Sequence, residues 1–333
     1  AQVLEHLKHV LSGMGVDFDV WFSERTLHAP GADGGPSAIE RSMARLREAG
    51  YIFEHEGAIW FRSTAFGDDK DRVLKKADGS YTYFAADIAY HWNKLEERGF
   101  DVVIDIWGAD HHGYVKRMEA ACAALGHPGK LQIIIGQLVS LFRNGEVVRM
   151  SKRTGEMVTF EDLLDEVGAD AARYFFLRRS TDQALDFDIA LAKEQSSDNP
   201  VYYVQYAHAR ICSILRKAAN QPDCDDVSTL VDALVPADVD LTLLTAEAEL
   251  ALFRRLAEFA EVVEAAATQY APHKLTRYAE DLAAQFHQFY TVCRVVDPDE
   301  PALTTARLAV VDASRTVLES VLGLLGVSAP QRM

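Results

Sequence analysis

The sequence predicts an α/β fold with a parallel sheet, followed by an all-helical bundle. Two textures carry this reading. Between residues 81 and 180, short β-branched runs such as DVVIDIWG alternate with amphipathic helical stretches, the pattern of strand–helix–strand units in a parallel sheet. From about residue 199 the strand runs stop and long helical patterns take over.

Residues 1–80 are mixed. A helical pattern over Val3–Gly13 leads into VDFDVWFSE, which alternates like a strand. APGADGGPS is a loop, AIERSMARLREAG an amphipathic helix closed by Gly50, and GAIWFRS a short strand. KKADGSYTY carries a D-G turn before the next element. FAADIAYHWNKLEERG is helical and ends at Gly99 with Lys94 and Arg98 in its final turns. DVVIDIWG is expected as a buried strand, YVKRMEAACAALG as a helix and LQIIIGQLV as a second strand. LFRNGEVVRM holds an N-G dipeptide between alternating residues, a strong hairpin signal. Thr159 and Asp162 form a capping-box pattern, FEDLLDEVG ends at Gly168, and Asp170 is placed to cap AARYFFLRR. The bundle follows in VYYVQYAHARICSILRKAAN, AEAELALFRRLAEFAEVVEAAATQY, HKLTRYAEDLAAQFHQFYTVCRVV and TARLAVVDASRTVLESVLGLLG.

Composition narrows the class. The 333 residues, 49% hydrophobic and 25% charged, suit two or three domains with their own cores and exclude collagen-like and disordered chains. The longest apolar runs are too short to span a membrane, and no secretory signal opens the chain. Cys122, Cys212, Cys224 and Cys293 form no C-x-x-C pair and read as reduced thiols of a cytoplasmic protein. The net charge of -16 argues against indiscriminate nucleic-acid binding, while leaving room for locally focused basic residues.

Four constellations could carry chemistry. WGADHHG (107–113) follows a strand, where open parallel sheets bind ligands; Gly108 permits close approach, Asp110 can accept from a ribose hydroxyl and His112 can donate to phosphate. It reads equally as a polar loop, and no third ligand at metal spacing stands near, so no metal site is expected. Tyr83 and Asp87 lie at i and i+4, on one helix face, able to clamp a guanidinium or, on the plainer reading, a buried tyrosine beside an exposed aspartate. RMSKRTG puts Arg149, Lys152 and Arg153 beside Gly155, either a solvated turn or a loop that grips an anion; it is not a P-loop. In the bundle, Tyr206, Arg210, Arg277, Tyr278, Tyr290 and Arg294 interleave rings with cations and are candidates for stacking and pairing with RNA, most phenylalanines being assigned to the core.

Together these stretches resemble bacterial-type arginyl-tRNA synthetases, of class I. RMSKR (149–153) is similar to the K-M-S-K-S signature, with Arg149 for the first Lys and Arg153 for the final Ser. The resemblance extends through YTYFAADIAYHWNKLEERGFDVVIDIWGADHHGYVKR, TFEDLLDEVGADAARYFFLRRSTDQALDFDIALAKEQSSDNPVYYVQYAHARI, YAPHKLTRYAEDLAAQFHQFYTVCRV and GVSAPQRM. It implies part of a Rossmann-like sheet, the second half of the class I catalytic fold with its insertion, and then an anticodon-binding bundle. The implied domains are 1–80 (insertion and connective part), 81–198 (second catalytic half with the RMSKR loop) and 199–333 (anticodon binding).

The resemblance also implies roles. Tyr83 and Asp87 would bind substrate arginine; Gly108, Asp110, His112, Met150, Ser151 and Lys152 would bind ATP or the adenylate; and Lys152, Ser151 and Arg149 would serve catalysis. The partners are tRNA(Arg), L-arginine and ATP with Mg²⁺, in a monomeric cytoplasmic enzyme that uses no membrane. One departure matters: no His-x-Gly-His occurs, although the family's other ATP signature is H-I-G-H. The chain is therefore expected to be a carboxyl-terminal part with weak or no activity alone. Two alternatives stand beside this: another class I nucleotidyl transferase, and a non-catalytic tRNA-binding fragment or scaffold derived from a synthetase.

Overall fold

The structure, a computed structural model, describes residues 2–31, 33–148 and 158–333. In chain order come α1 (Gln2–Gly13), α2 (Arg25–His28), α3 (Ala38–Glu48), β1 (Ile52–His55), β2 (Ala58–Phe61), β3 (Arg72–Lys75), α4 (Tyr83–Trp92), β4 (Val103–Gly108), α5 (Val115–Ala124) and β5 (Leu131–Gly136). Then follow β6 (Val139–Arg143), β7 (Glu146–Val147), α6 (Phe160–Val167), α7 (Ala169–Leu177), β8 (Leu185–Asp188) and α8 (Ile189–Lys193). The last elements are α9 (Pro200–Ala218), α10 (Val231–Leu234), α11 (Glu247–Ala257), α12 (Phe259–Thr268), α13 (His273–Val292) and α14 (Pro301–Leu325). The chain forms two compact units, Phe18–Leu138 and Ala1–Asp17 with Val139–Met333. These divisions do not fall at residues 80 and 198: Phe61 and Phe84, on either side of residue 80, pack with ring centroids 6.3 Å apart in one core.

In the unit Phe18–Leu138, α3 starts with a reciprocal cap. Glu40 N donates to Ser37 Oγ (3.3 Å), and Ser37 N donates to Glu40 Oε2 (2.8 Å). β1, β2 and β3 make an antiparallel sheet in that order. The sequence reading finds only β2; β1 and β3 carry no alternation and are defined by their pairing with it. Conversely, VDFDVWFSE forms no strand: Phe18 and Val20 are 53% and 51% exposed, and no strand among the described residues pairs with it.

α4 is capped by Thr82, whose hydroxyl accepts from Ala85 N. It continues into a wider turn, Asn93–Glu97, in which Arg98 N donates five residues back to Asn93 O at 2.8 Å. β4 and β5 pair in parallel from Val103↔Leu131 to Gly108↔Gly136. The expectation that β4 is buried on both faces is corrected. Val103 and Asp105 point inward, while Ile104 and Ile106 are 46% and 74% exposed.

In the other unit, β6 and β7 form the predicted hairpin. Asn144 and Gly145 have φ of 53° and 82°, the paired left-handed conformations of a type I′ turn. β6 also pairs in parallel with β8. The Thr159 box forms: Asp162 N donates to Thr159 Oγ1 at 3.1 Å and Thr159 N to Asp162 Oδ2 at 2.8 Å. Asp170 does not cap α7. It lies within the helix and accepts instead from Gln205 Nε2 (2.8 Å) and Ser328 N (3.1 Å).

The predicted helical run over 246–270 breaks at Glu258 into α11 and α12. α9, α11, α13 and α14 pack around one core that includes Leu215, Leu252, Phe286, Phe289 and Leu322. α14 ends on Gly326 at φ 67°. There Arg173 donates from Nε to Leu325 O (3.0 Å) and from Nη1 to Met14 O (2.9 Å) and Gly15 O (3.2 Å). All four cysteines are free, and burial pushes the Cys122 thiol up to about 12 and that of Cys212 to about 11. No helix among the described residues is long and apolar enough to cross a membrane.

Replacing Arg173 removes the donor from three carbonyls at once. Arg173→Met should lower the unfolding free energy of its unit by about 2–3 kcal/mol. Urea unfolding followed by circular dichroism measures this; a loss under about 0.5 kcal/mol would mean that water replaces the guanidinium freely.

Candidate functional site

The carboxyl end of β4 and the outer face of α4 border a cleft of about 550 Å³ within Phe18–Leu138. Its walls include Tyr83, Asp87, Tyr90, His91, Lys94, Asp105, Trp107, His111 and Tyr114. The position follows from the topology, since the loop after a parallel strand opens outside the sheet. The helical period then aligns Asp87, His91 and Lys94 at i, i+4 and i+7 on one face of the helix and its wider final turn.

Three titratable side chains meet beneath the cleft. Asp105, 9% exposed, lies with Oδ2 2.7 Å from His91 Nε2 and accepts through Oδ1 from Lys94 Nζ at 2.7 Å. The other ring nitrogen, His91 Nδ1, lies 2.8 Å from Asp87 O. Both His91 nitrogens therefore face acceptors, and a neutral ring can donate to only one of them. Lys94 Nζ also sits 4.4 Å above the Tyr90 ring. Burial pushes the Asp105 carboxyl up, but the bonds from His91 and Lys94 outweigh it and hold the group at about 2.

Asp87 is the opposite case. It is half-buried, and among the described residues no donor or cation binds its carboxylate. Burial raises its carboxyl above the ordinary range; His91 and Lys94 pull it down, and Glu24 and Asp105 push it further up. Tyr83, 82% exposed, stands one helical turn away. The plainer reading, a buried tyrosine beside an exposed aspartate, is thus reversed.

The other predicted residues distribute unevenly. Gly108 ends β4, and a β-carbon there would meet Asp110 Oδ1 at 2.7 Å. Asp110 lies 3.5 Å from His111 Nε2, with its side chain 80% exposed. His112 is exposed, and it is His111, quoted in WGADHHG but given no role there, that lines the cleft. Arg149, Met150, Ser151 and Lys152 lie outside the described residues. His91, Lys94 and Asp105 were also missed; only their separations of 14 and 11 residues, too long for a local rule, connect them.

The helical unit carries a second cleft, of about 730 Å³, bordered by Tyr206, Arg210, Arg216, Lys217 and Arg332. Arg210 donates to Tyr290 OH at 3.3 Å and lies 4.9 Å over its ring. Tyr202 and Tyr206 stack with an interplanar angle of 12°. Arg216 is buried and spent on the carbonyls of Cys224 (2.6 Å) and Gln331 (2.9 Å). Arg277 and Arg294 are exposed but do not border this cleft. Tyr278 is corrected: it is 2% exposed and donates to Arg255 O at 2.8 Å, so its ring has no open face for a base.

Comparison with known proteins fits this arrangement. Residues 32–207 match the family model described as tRNA synthetases class I (R), catalytic domain, and residues 204–333 match the DALR anticodon binding domain. The chain belongs to the class I arginyl-tRNA synthetase family. It is 54% identical over 331 residues to the arginine–tRNA ligase of Heliobacterium modesticaldum, covering 99% of this chain and 57% of that relative. It is 54% identical over 328 residues to that of Listeria monocytogenes, covering 98% of the chain and 56% of the relative. The chain thus spans little more than half the length of these relatives. A solved structure from Campylobacter jejuni assigned as an arginyl-tRNA synthetase superposes with a TM-score of 0.85 at 35% identity, covering 100% of this chain and 68% of that one. The Thermus thermophilus arginyl-tRNA synthetase shares the fold at a TM-score of 0.77 and 21% identity, over 100% of this chain and 64% of that one.

The two cleft carboxylates should titrate on opposite sides of the ordinary aspartate value. Carboxyl-carbon NMR is expected to find Asp87 above 3.8 and Asp105 at about 2. Because its folded value is depressed, Asp105 contributes stability that is complete above the unfolded value and lost as pH falls through about 2. Asp87, raised, works the other way: its ionisation costs stability, so Asp87→Asn should leave the unliganded protein at neutral pH as stable as wild type or more so. Coincident midpoints for the two carboxyls would refute the assignment.

Proposed function

We propose that the protein carrying this chain is an arginine–tRNA ligase, which joins L-arginine to ATP and passes the arginyl group to tRNA(Arg). One observation carries the substrate assignment: a half-buried carboxylate, Asp87, that no donor or cation among the described residues satisfies, beside the exposed Tyr83. A desolvated, unpaired carboxylate is costly, and the cost is recovered when a cation arrives. A guanidinium suits it best, because its planar fork can donate two parallel bonds to one carboxylate.

Activation requires the arginine carboxylate to attack the α-phosphate of ATP, releasing pyrophosphate and leaving arginyl-adenylate. The terminal ribose of the tRNA then attacks the acyl carbon and AMP departs. No covalent intermediate with the protein is needed, so the chain's residues position and neutralise. In this reading Gly108, Asp110 and His112 meet the adenylate, and Arg149, Met150, Ser151 and Lys152 meet the triphosphate. The family membership supports these roles. ATP enters as its Mg²⁺ complex; among the described residues no group of three or more His, Cys, Asp or Glu is placed to hold a metal. The basic cleft bordered by Tyr206 and Arg210 supports anticodon binding, with rings to stack bases and cations to meet phosphates.

Asp87→Ala in the full-length product of the gene should raise the arginine KM by about two orders of magnitude, the cost of breaking a buried charge pair. An unchanged KM refutes the clamp. The 333-residue chain alone should show little arginine-dependent ATP–pyrophosphate exchange even with tRNA present, and robust exchange would overturn that expectation. In filter binding, Tyr206→Ala and Arg210→Ala should each weaken tRNA(Arg) about tenfold, the worth of one stacking or phosphate contact. Tyr278→Phe, being in the core, should not; equal effects from all three would sink the assignment of the cleft.

A further inference from the structure

The charges under the arginine cleft raise a question that the clamp alone does not answer. Asp87 shares its helix face with two potential cations, His91 and Lys94, four and seven residues on. A carboxylate in that position would ordinarily be neutralised from within, and a neutralised carboxylate would not select a guanidinium. In this structure neither side chain bonds it. Both are turned to Asp105 on β4, which takes one on each oxygen at 2.7 Å.

Resting on the reading of Asp87 as the guanidinium acceptor, we infer that Asp105 is a positioning residue for arginine specificity. It holds His91 and Lys94 in a closed hydrogen-bonded cluster and so keeps Asp87 unpaired for the substrate. The geometry supports this at each atom. Asp105 occupies an inward position of a strand whose neighbours Ile104 and Ile106 face outward, so its carboxylate reaches α4 and not solvent. The wider turn Asn93–Glu97 carries Lys94, whose ammonium rests between Asp105 and the Tyr90 ring rather than in the open cleft. His91 Nδ1, held on Asp87 O, fixes the ring so that Nε2 meets Asp105.

Without the Asp105 charge, Lys94 becomes a free ammonium on the wall that Asp87 shares. It would then both attract Asp87 and repel an arriving guanidinium. The effect falls on arginine binding and not on chemistry at the α-phosphate.

The test uses steady-state pyrophosphate exchange in the full-length gene product with arginine varied. Asp105→Asn should raise the arginine KM about tenfold while kcat stays within about threefold, the signature of lost ground-state binding. Adding Lys94→Met to that variant removes the liberated cation and should return KM to within about threefold of wild type, a rescue that a merely structural role of Asp105 would not give. An unchanged KM in Asp105→Asn, or a double variant no better than the single one, overturns the inference. If Asp105→Asn fails to fold, Lys94→Met alone decides: with Asp105 intact it should lower the arginine KM or leave it, and a rise overturns the inference. Asp87→Asn is run alongside. If it leaves KM unchanged, the guanidinium reading falls and takes this inference with it; if it raises KM and the Asp105 arms fail, only this inference falls.

Discussion

A carboxylate taken out of water must be met by donors, and Asp105 imposes that demand at the centre of the Phe18–Leu138 unit. Its strand position sends the side chain inward, against α4, where His91 and Lys94 meet it. Much else in the unit follows from this one site. Val103 shares that inward face, while alternation puts Ile104 and Ile106 on the outward one. α4 is tied to β4 through ion pairs as well as through apolar packing. Asp87, on the same helix face, has no carboxylate partner among the described residues, while Lys94 and His91 are engaged on Asp105.

What the sequence disclosed was chiefly local. The Asn144-Gly145 turn, the Thr159 cap and the Gly326 stop depend on residues within one or two turns of each other, and short-range rules read them. The helical texture after residue 199 was equally legible, apart from the break at Glu258. Two of the three strands of the antiparallel β1–β2–β3 sheet were hidden, because β1 and β3 gain their identity from pairing with β2 rather than from alternation. VDFDVWFSE erred in the other direction: alternation without a partner strand is only extended chain.

The site was partly legible for the same reason. Tyr83 and Asp87 stand one turn apart, so helical spacing found them, although it reversed which of the two is exposed. The Asp105 cluster joins a strand to a helix and left no local trace. In the bundle, the ring-and-cation pattern treated Tyr206, Tyr278 and Tyr290 alike. The structure separates them by what their hydroxyls and faces meet: Tyr278 is anchored on a backbone carbonyl inside the core, while Tyr206 borders a cleft. Amphipathic residues cannot be sorted by type, since a tyrosine is equally at home in both settings.

Arg173 and Gly326 show how the helical unit couples positions far apart in the chain. The guanidinium occupies the space beside the left-handed turn that ends α14, and a β-carbon at residue 326 would lie 2.5 Å from its Nη2. A substitution at Gly326 therefore bears directly on where Arg173 can lie. A side chain at 326 must displace the arginine, and a displaced arginine strands the carbonyls of Met14, Gly15 and Leu325. The constraint runs one way, since Gly326 puts no side chain in the path of a change at Arg173.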